Sequence, residues 1–337
     1  MYSWGDDTSD WAKPGTYAYS PAAKKARDED EKKAKAHGPR TYAARSGPNE
    51  QLTSPKKRVS SYSRTPLIIG VDVTGSMQRW PVEIFDRLPL LYQTLSQYKD
   101  DLEICFVAIG DARCDRWPLQ ATQFAKGFDL ETHLKALHGE GGGGDLPESY
   151  GVFAYWVQNH VSVPNAERPF LIVFGDAPMH AQVLEGEARH VLGDELAQPA
   201  DSIAVWRNVC RTWNTWFLRR PGGTRGDDVD EQWGQAIGAQ QVVHMDDEQR
   251  AVDYAMGLIA RSWGHFDDFK INMTARQDDR KVGEIERRVS ALEAAIDAAK
   301  APRALDCPRC GAPLPASREA RIHCGFCKSL VEVPLRR

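Results

Sequence analysis

With 337 residues the chain exceeds one average domain, so one main domain with appendages is the expectation. Its 42% apolar and 27% charged residues are ordinary for a globular protein, and no stretch approaches the roughly 20 apolar residues of a membrane span. The formal net charge of -4 hides an asymmetry: from Lys13 to Arg64 thirteen Lys and Arg face five Asp and Glu, a local balance of +8.

Residues 1–63 hold few large aliphatics and many Lys, Ala, Pro, Ser and Gly, which predicts a disordered basic arm. Pro21 to His37 has the composition of a polar helix without an apolar stripe to dock it. The arm's charge suits nucleic acid or an acidic partner, and a solvated linker is the plainer reading. The start, Met1-Tyr2-Ser3-Trp4-Gly5-Asp6-Asp7, lacks the basic-then-apolar pattern of a signal peptide, so a cytoplasmic, bacterial-type protein without membrane contact is expected.

From residue 64 to 264 buried strands alternate with amphipathic helices, the pattern of a doubly wound α/β domain. Pro66 to Val71 reads as the first strand, and Ile84, Leu88, Leu91 and Leu95 mark a helix face after it. Leu102 to Ile109 is a second strand, followed by a polar hairpin around Cys114 to Phe124 and a helix near Leu130 to Leu137. A helix from Tyr150 to Val157 opens at a glycine-rich turn, and Phe170 to Gly175 is a buried strand. Ile203, Trp206 and Cys210 share a helical face, Thr215 to Leu218 and Gln241 to Met245 are strands, and Val252, Met256 and Ile259 mark a closing helix. Ligands in such a sheet gather outside the carboxyl ends of the strands, where the strand order reverses.

The run Asp72-Val73-Thr74-Gly75-Ser76-Met77, directly after the first strand, presents one carboxylate and two hydroxyls from a single turn. These are hard oxygen ligands of the kind magnesium takes. The bland reading is helix capping by Asp72 with Thr74 and Ser76 satisfying backbone groups. The spacing resembles the metal-ion-dependent adhesion site (MIDAS) of von Willebrand factor type A (vWA) domains: Asp-x-Ser/Thr-x-Ser, a Thr on a later loop, and an Asp after a central strand. Asp72, Thr74 and Ser76 match the first piece, and Asp176, after Phe170 to Gly175, matches the last. The middle piece departs: in Gly142-Gly143-Gly144-Asp145-Leu146-Pro147-Glu148-Ser149, Gly144 falls in the Thr slot and Asp145 is the nearest oxygen donor. The resemblance implies a doubly wound, Rossmann-like vWA domain holding Mg2+, or Mn2+ or Ca2+, on Asp72, Thr74, Ser76 and Asp176, with Asp145 the substitute candidate. Asp111 reads as a turn residue.

Residues 265–301 form a helical linker, in which Val282, Ile285, Val289, Leu292 and Ile296 make a heptad seam suited to self-association or to packing on the main domain. In 302–337, Cys307-Pro308-Arg309-Cys310 and Cys324-Gly325-Phe326-Cys327 are two CxxC pairs thirteen residues apart, with Gly311 and Gly325 in place for tight knuckles. Four thiolates at this spacing indicate a structural Zn2+ site, resembling a zinc ribbon, closed to catalysis. Redox dithiols or disulfides are the alternatives. Cys105, Cys114 and Cys210 are expected as buried small hydrophobes.

No P-loop, dinucleotide fingerprint, GxSxG elbow or HExxH is present, and the nine histidines show no ligand spacing. A non-enzymatic scaffold is therefore expected, its MIDAS-bound cation engaging a carboxylate of a protein partner. The resemblance implies, as that partner, an AAA+ ATPase of the MoxR or chelatase kind. The alternatives are a nucleic-acid-associated protein using the basic arm and ribbon, and a metal-dependent hydrolase.

Overall fold

A computed structural model of the chain describes residues 47–78, 80–127, 129–141, 147–167, 169–220, 226–245, 250–274, 279–300, 307, 309–310, 312, 314 and 321–332. The basic arm through residue 46 and the candidate ligand Asp145 lie outside them. The chain divides into two compact units, 1–289 and 290–337.

The first unit is a mixed α/β structure. Its strands are β1 (Val59–Ser60), β2 (Pro66–Asp72), β3 (Glu103–Ile109), β4 (Leu119–Ala121), β5 (Val161–Ser162), β6 (Phe170–Gly175), β7 (Gln182–Val183), β8 (Ala200–Asp201), β9 (Asn214–Arg219) and β10 (Val242–His244). Its helices are α1 (Glu50–Thr53), α2 (Trp80–Leu95), α3 (Asp129–Ala136), α4 (Tyr150–His160), α5 (Ser202–Val209), α6 (Gly226–Ile237), α7 (Ala251–Ser262) and α8 (Phe266–Thr274), and α9 (Asp279–Lys300) runs past the boundary between the units.

Six strands form the central sheet in the order β10-β9-β6-β2-β3-β4. All neighbours are parallel except β4, which returns antiparallel on β3 with Ile109 opposite Leu119. The sheet is therefore mixed, and its antiparallel edge is the polar hairpin expected after β3. The order grows outward in both directions from β2 and β6, so the connections leaving their carboxyl ends diverge and leave a crevice between them.

Alternation along β2 explains why both faces are covered. Ile68 belongs to a core with Cys105, Val107, Leu171, Val173 and Phe217 of the sheet and with Phe153, Trp156, Trp206 and Trp233 of α4, α5 and α6. Leu67, Ile69 and Val71 turn to the opposite face and are equally buried, beneath the paired helices α2 and α7. A strand buried on both sides reads as a continuous apolar run, as Leu67 to Val71 does.

Several features depart from the sequence expectations. Residues 50–63, assigned to the arm, carry α1 and β1. Asn49 caps α1 by accepting from the Gln51 N–H at 3.2 Å, Val59 pairs with Val161, and Thr53, Ser61 and Ser63 are buried. Helix α6 was not anticipated between the last two strands. The linker is two helices, and the first three seam positions on α9 are engaged within the first unit: Val282, Ile285 and Val289 are buried, and Gly257 of α7 leaves room for Ile285 and Val289.

In the second unit β11 (Arg321–His323) pairs antiparallel with β12 (Leu330–Glu332), and Cys307, Leu314, Ile322, Cys324 and Val331 make a small core.

Candidate functional site

Two candidate sites emerge, one at the sheet crevice and one among the C-terminal cysteines. At the crevice, β2 ends on Asp72 and β6 is followed directly by Asp176, so parallel pairing of these strands sets two carboxylates on adjacent strand ends. Asp72 is fully buried. Its Oδ1 accepts from the Thr74 N–H at 2.8 Å and from the Thr74 hydroxyl at 2.6 Å. Thr74 Oγ1 lies 3.2 Å from Ser76 Oγ, and the Ser76 hydroxyl donates to Asp176 Oδ1 at 2.8 Å. Asp72, Thr74, Ser76 and Asp176, a hundred residues apart in the chain, thus form one hydrogen-bonded row. The Gly75–Met77 3-10 turn beneath the hydroxyls has no side-chain cap from Thr74, so capping does not account for Thr74 here.

Three neighbours that the sequence reading did not assign complete the setting. Tyr150, fully buried at the start of α4, donates its hydroxyl to Asp72 Oδ2. Gly175 makes room for it, since a Cβ there would stand 2.1 Å from the Tyr150 oxygen. Arg220, just past β9, donates to Asp176 Oδ2 at 3.2 Å and to the Ser76 carbonyl. Glu148 is 3% exposed, and its Oε2 has no hydrogen-bond partner. No spacing rule pointed to Tyr150 or Arg220. Glu148 sits in the loop that departs from the family pattern, and that departure was the available signal.

Burial among like charges sets the electrostatics. Asp72 is pushed up to about 7, first by desolvation and then by Asp176, against the hydrogen bonds from Thr74 and Tyr150. Glu148 is pushed up to about 10 by burial and by the charges of Asp72, Asp111 and Asp115. Burial also raises Asp176, with Ser76 and Arg220 pulling the other way. An excess of buried carboxylates over cations is the condition in which a bound divalent ion is favourable. The donor set is also right, because a hydroxyl that has donated its proton keeps lone pairs for a metal. The residues present thus offer oxygen donors of the type a hard cation takes.

Asp111 is held through one of its two oxygens, while its buried Oδ2 has no hydrogen-bond partner. Its Oδ1 accepts from His180 Nε2 at 2.8 Å, from the Ser149 hydroxyl at 3.1 Å and from the Arg113 N–H at 3.3 Å. Burial works against its charge, but the His180 hydrogen bond leads those that hold it down at about 2. It is a structural turn residue, as expected.

In the second unit the Sγ atoms of Cys307, Cys310, Cys324 and Cys327 all lie within 4.8 Å of one another, the one such group of ligand atoms among the described residues. Cys307 to Cys327 is 3.6 Å and Cys310 to Cys324 is 3.7 Å. A tetrahedron with zinc–sulfur bonds of about 2.3 Å has edges of about 3.8 Å, so the four thiols could hold zinc with little adjustment. All four are free thiols in this structure. The Ser329 hydroxyl, 2.7 Å from Cys327 Sγ, leads the interactions that bring that thiol down to about 6 and ready it as a thiolate ligand. Backbone N–H donors close the knuckles, from Cys310 to the Cys307 carbonyl and from Lys328 to the Cys324 carbonyl. Left-handed backbone falls on Lys328, at φ +62°, and not on Gly325. Of the other cysteines Cys105 is buried, Cys210 is half-buried and Cys114 is exposed, so Cys114 departs from the expected core role.

No family model matches the chain, and no curated protein matches it. Among solved structures, the pilus adhesin SpaC from Lactobacillus rhamnosus GG in its open conformation is 7% identical, with 64% of this chain and 31% of that one covered and a TM-score of 0.43. Proximal thread matrix protein 1 from the mussel byssus is 11% identical, with 62% of this chain and 49% of that one covered and a TM-score of 0.44. The matched region spans less than half the length of either protein. Likeness at this level bears on neither family nor function. Among the described residues, no helix is long and apolar enough to cross a membrane.

Proposed function

We propose that the protein is a non-enzymatic, metal-dependent binding protein whose main domain is a doubly wound, Rossmann-like fold of the vWA kind. A divalent cation, Mg2+ in the first instance, sits on the row Asp72, Thr74, Ser76 and Asp176 and presents an open position to a carboxylate of a protein partner. The observation that supports this most is the hydrogen-bonded chain that joins Thr74 and Ser76 to Asp72 at one end and Asp176 at the other, at the point where the strand order reverses. It assembles the two motif pieces into one oxygen-rich cradle. The six sheet strands, numbered among themselves in chain order, run 3-2-1-4-5-6, the order that such folds use. By resemblance alone, an AAA+ ATPase of the MoxR or chelatase kind is the first partner to look for. The ribbon holds structural zinc and adds a second docking surface.

Affinity purification of wild type and Asp72→Ala, in Mg2+ and in EDTA, tests the bridge. A partner retained only by wild type in Mg2+ is the expected result, and equal retention by Asp72→Ala would remove the mechanism.

One observation favours nucleic acid as a second ligand. Phe326 is 82% exposed on the second knuckle, two residues from exposed Lys328 and five from exposed Arg321, a ring for stacking with cations close by in sequence. Low-salt binding of single-stranded DNA or RNA that Phe326→Ala abolishes would establish it.

A further inference from the structure

Glu148 has no role in the site as described so far, yet its carboxyl is buried beside it. A carboxyl that is 3% exposed with an oxygen lacking any partner is costly to bury. The Thr74 side chain relieves it only in part: burial and the charges of Asp72, Asp111 and Asp115 outweigh that contact.

The position is nonetheless firmly built. The Glu148 N–H donates to the Pro178 carbonyl at 2.9 Å, the Glu148 carbonyl accepts from the His180 N–H at 3.2 Å, and the Ser149 N–H donates to the Gly110 carbonyl at 3.3 Å. The loops after β3 and β6 thus clamp residue 148 from both sides. Its carboxyl is held toward the crevice, where the Thr74 side chain favours its ionised form and the Asp72 charge opposes it.

Resting on the metal reading above, we propose that the Glu148 carboxylate is a direct ligand of the cation held by Thr74 and Ser76. It takes the part of the threonine that the glycine-rich loop lacks, and Asp72 and Asp176 stand behind the hydroxyls and orient them. A site with a resident glutamate binds its ion more tightly and less conditionally on a partner than one relying on neutral hydroxyls.

The test is Mn2+ binding to the full-length, zinc-loaded chain, followed by the EPR signal of free Mn2+, for wild type, Asp72→Ala and Glu148→Gln. Each variant is also melted in EDTA. The expected result is binding by wild type, loss in Asp72→Ala, and affinity lower by about 10- to 100-fold in Glu148→Gln. In EDTA, Glu148→Gln is expected to melt no lower than wild type, because a neutral amide replaces an uncompensated acid. Affinity within about twofold of wild type in Glu148→Gln, with binding lost in Asp72→Ala, would overturn the ligand role and leave the metal site standing. A lower melting point in EDTA would overturn it too, by showing that the carboxyl supports the fold. Wild type that binds no Mn2+ would bring down both readings.

Discussion

Tyr150 and Gly175 act together on Asp72. The phenol donates to the buried carboxylate, and the missing side chain at 175 is what admits the phenol. A Cβ at 175 would stand 2.1 Å from the Tyr150 oxygen and 3.0 Å from Phe217, in a region with no slack. Gly175→Ala should therefore expel Tyr150 from Asp72 at a cost of roughly 1–3 kcal/mol, the range for overpacking a core. Chemical denaturation with and without Mg2+ would check this, the deficit being larger when Mg2+ is present because the misplaced carboxylate no longer orients Thr74. An unchanged midpoint would mean that the loop gives way more easily than this contact allows. The sequence showed Gly175 only as the last residue of an apolar strand. Its use depends on a phenol 25 positions upstream, which no local pattern encodes.

At the scale of elements, α6 ties the far end of the sheet to the site. Trp233 stacks on Phe217 of β9 at 3.9 Å with the ring planes 8° apart, meets Tyr150 edge-on at 5.1 Å, and donates its indole N–H to the Ala177 carbonyl at 3.1 Å. Ala177 follows Asp176, so the indole steadies the loop that carries the second carboxylate. Trp233→Ala should cost about 3–5 kcal/mol of stability and weaken metal binding as well. Trp233→Phe, which keeps the stack and loses the donor, should retain most of the stability and still weaken the metal. Urea titrations and Mn2+ binding on the same samples separate the two effects. Helix α6 was missed because its buried positions, Val229, Trp233, Ala236 and Ile237, are spread among Asp, Glu and Gln in a short polar segment. Tertiary packing supplies what its composition does not. The C-terminal cysteine cluster is the opposite case, legible in sequence because two CxxC pairs are a local code. Its stability should be zinc's to give: chelation is expected to release one Zn2+ per chain and unfold the second unit. All ten tryptophans lie before residue 290, so amide dispersion and not tryptophan fluorescence is the readout for the second unit. Zinc release without loss of amide dispersion in the ribbon would contradict this.

Over the whole molecule, the central architecture was readable because doubly covered strands leave continuous apolar runs and the helices between them keep a 3.6-residue period. The conditions at the crevice were not readable, because they come from bringing Asp72, Glu148 and Asp176 together from three separate connections. That convergence should govern how stability depends on pH. In the folded chain Asp72 is held at about 7 and Glu148 at about 10, against roughly 4 for either carboxyl once unfolded. The native state therefore binds more protons than the unfolded state above pH ~4, and the stability from this pair is complete below that point and lost as pH rises through 7. Asp111 works in the other sense in a separate window. Held at about 2, it contributes stability above pH ~4 that is lost only on acidification toward 2. With EDTA present, the tryptophan-monitored melting temperature should accordingly fall between about pH 5 and pH 8. Saturating Mg2+ binds the ionised carboxylates and should flatten that fall, the gap between the two curves widening with pH. Parallel curves would mean that no divalent ion takes up the charge these residues develop, and the crevice would then be a proton-stabilised polar core with no metal role.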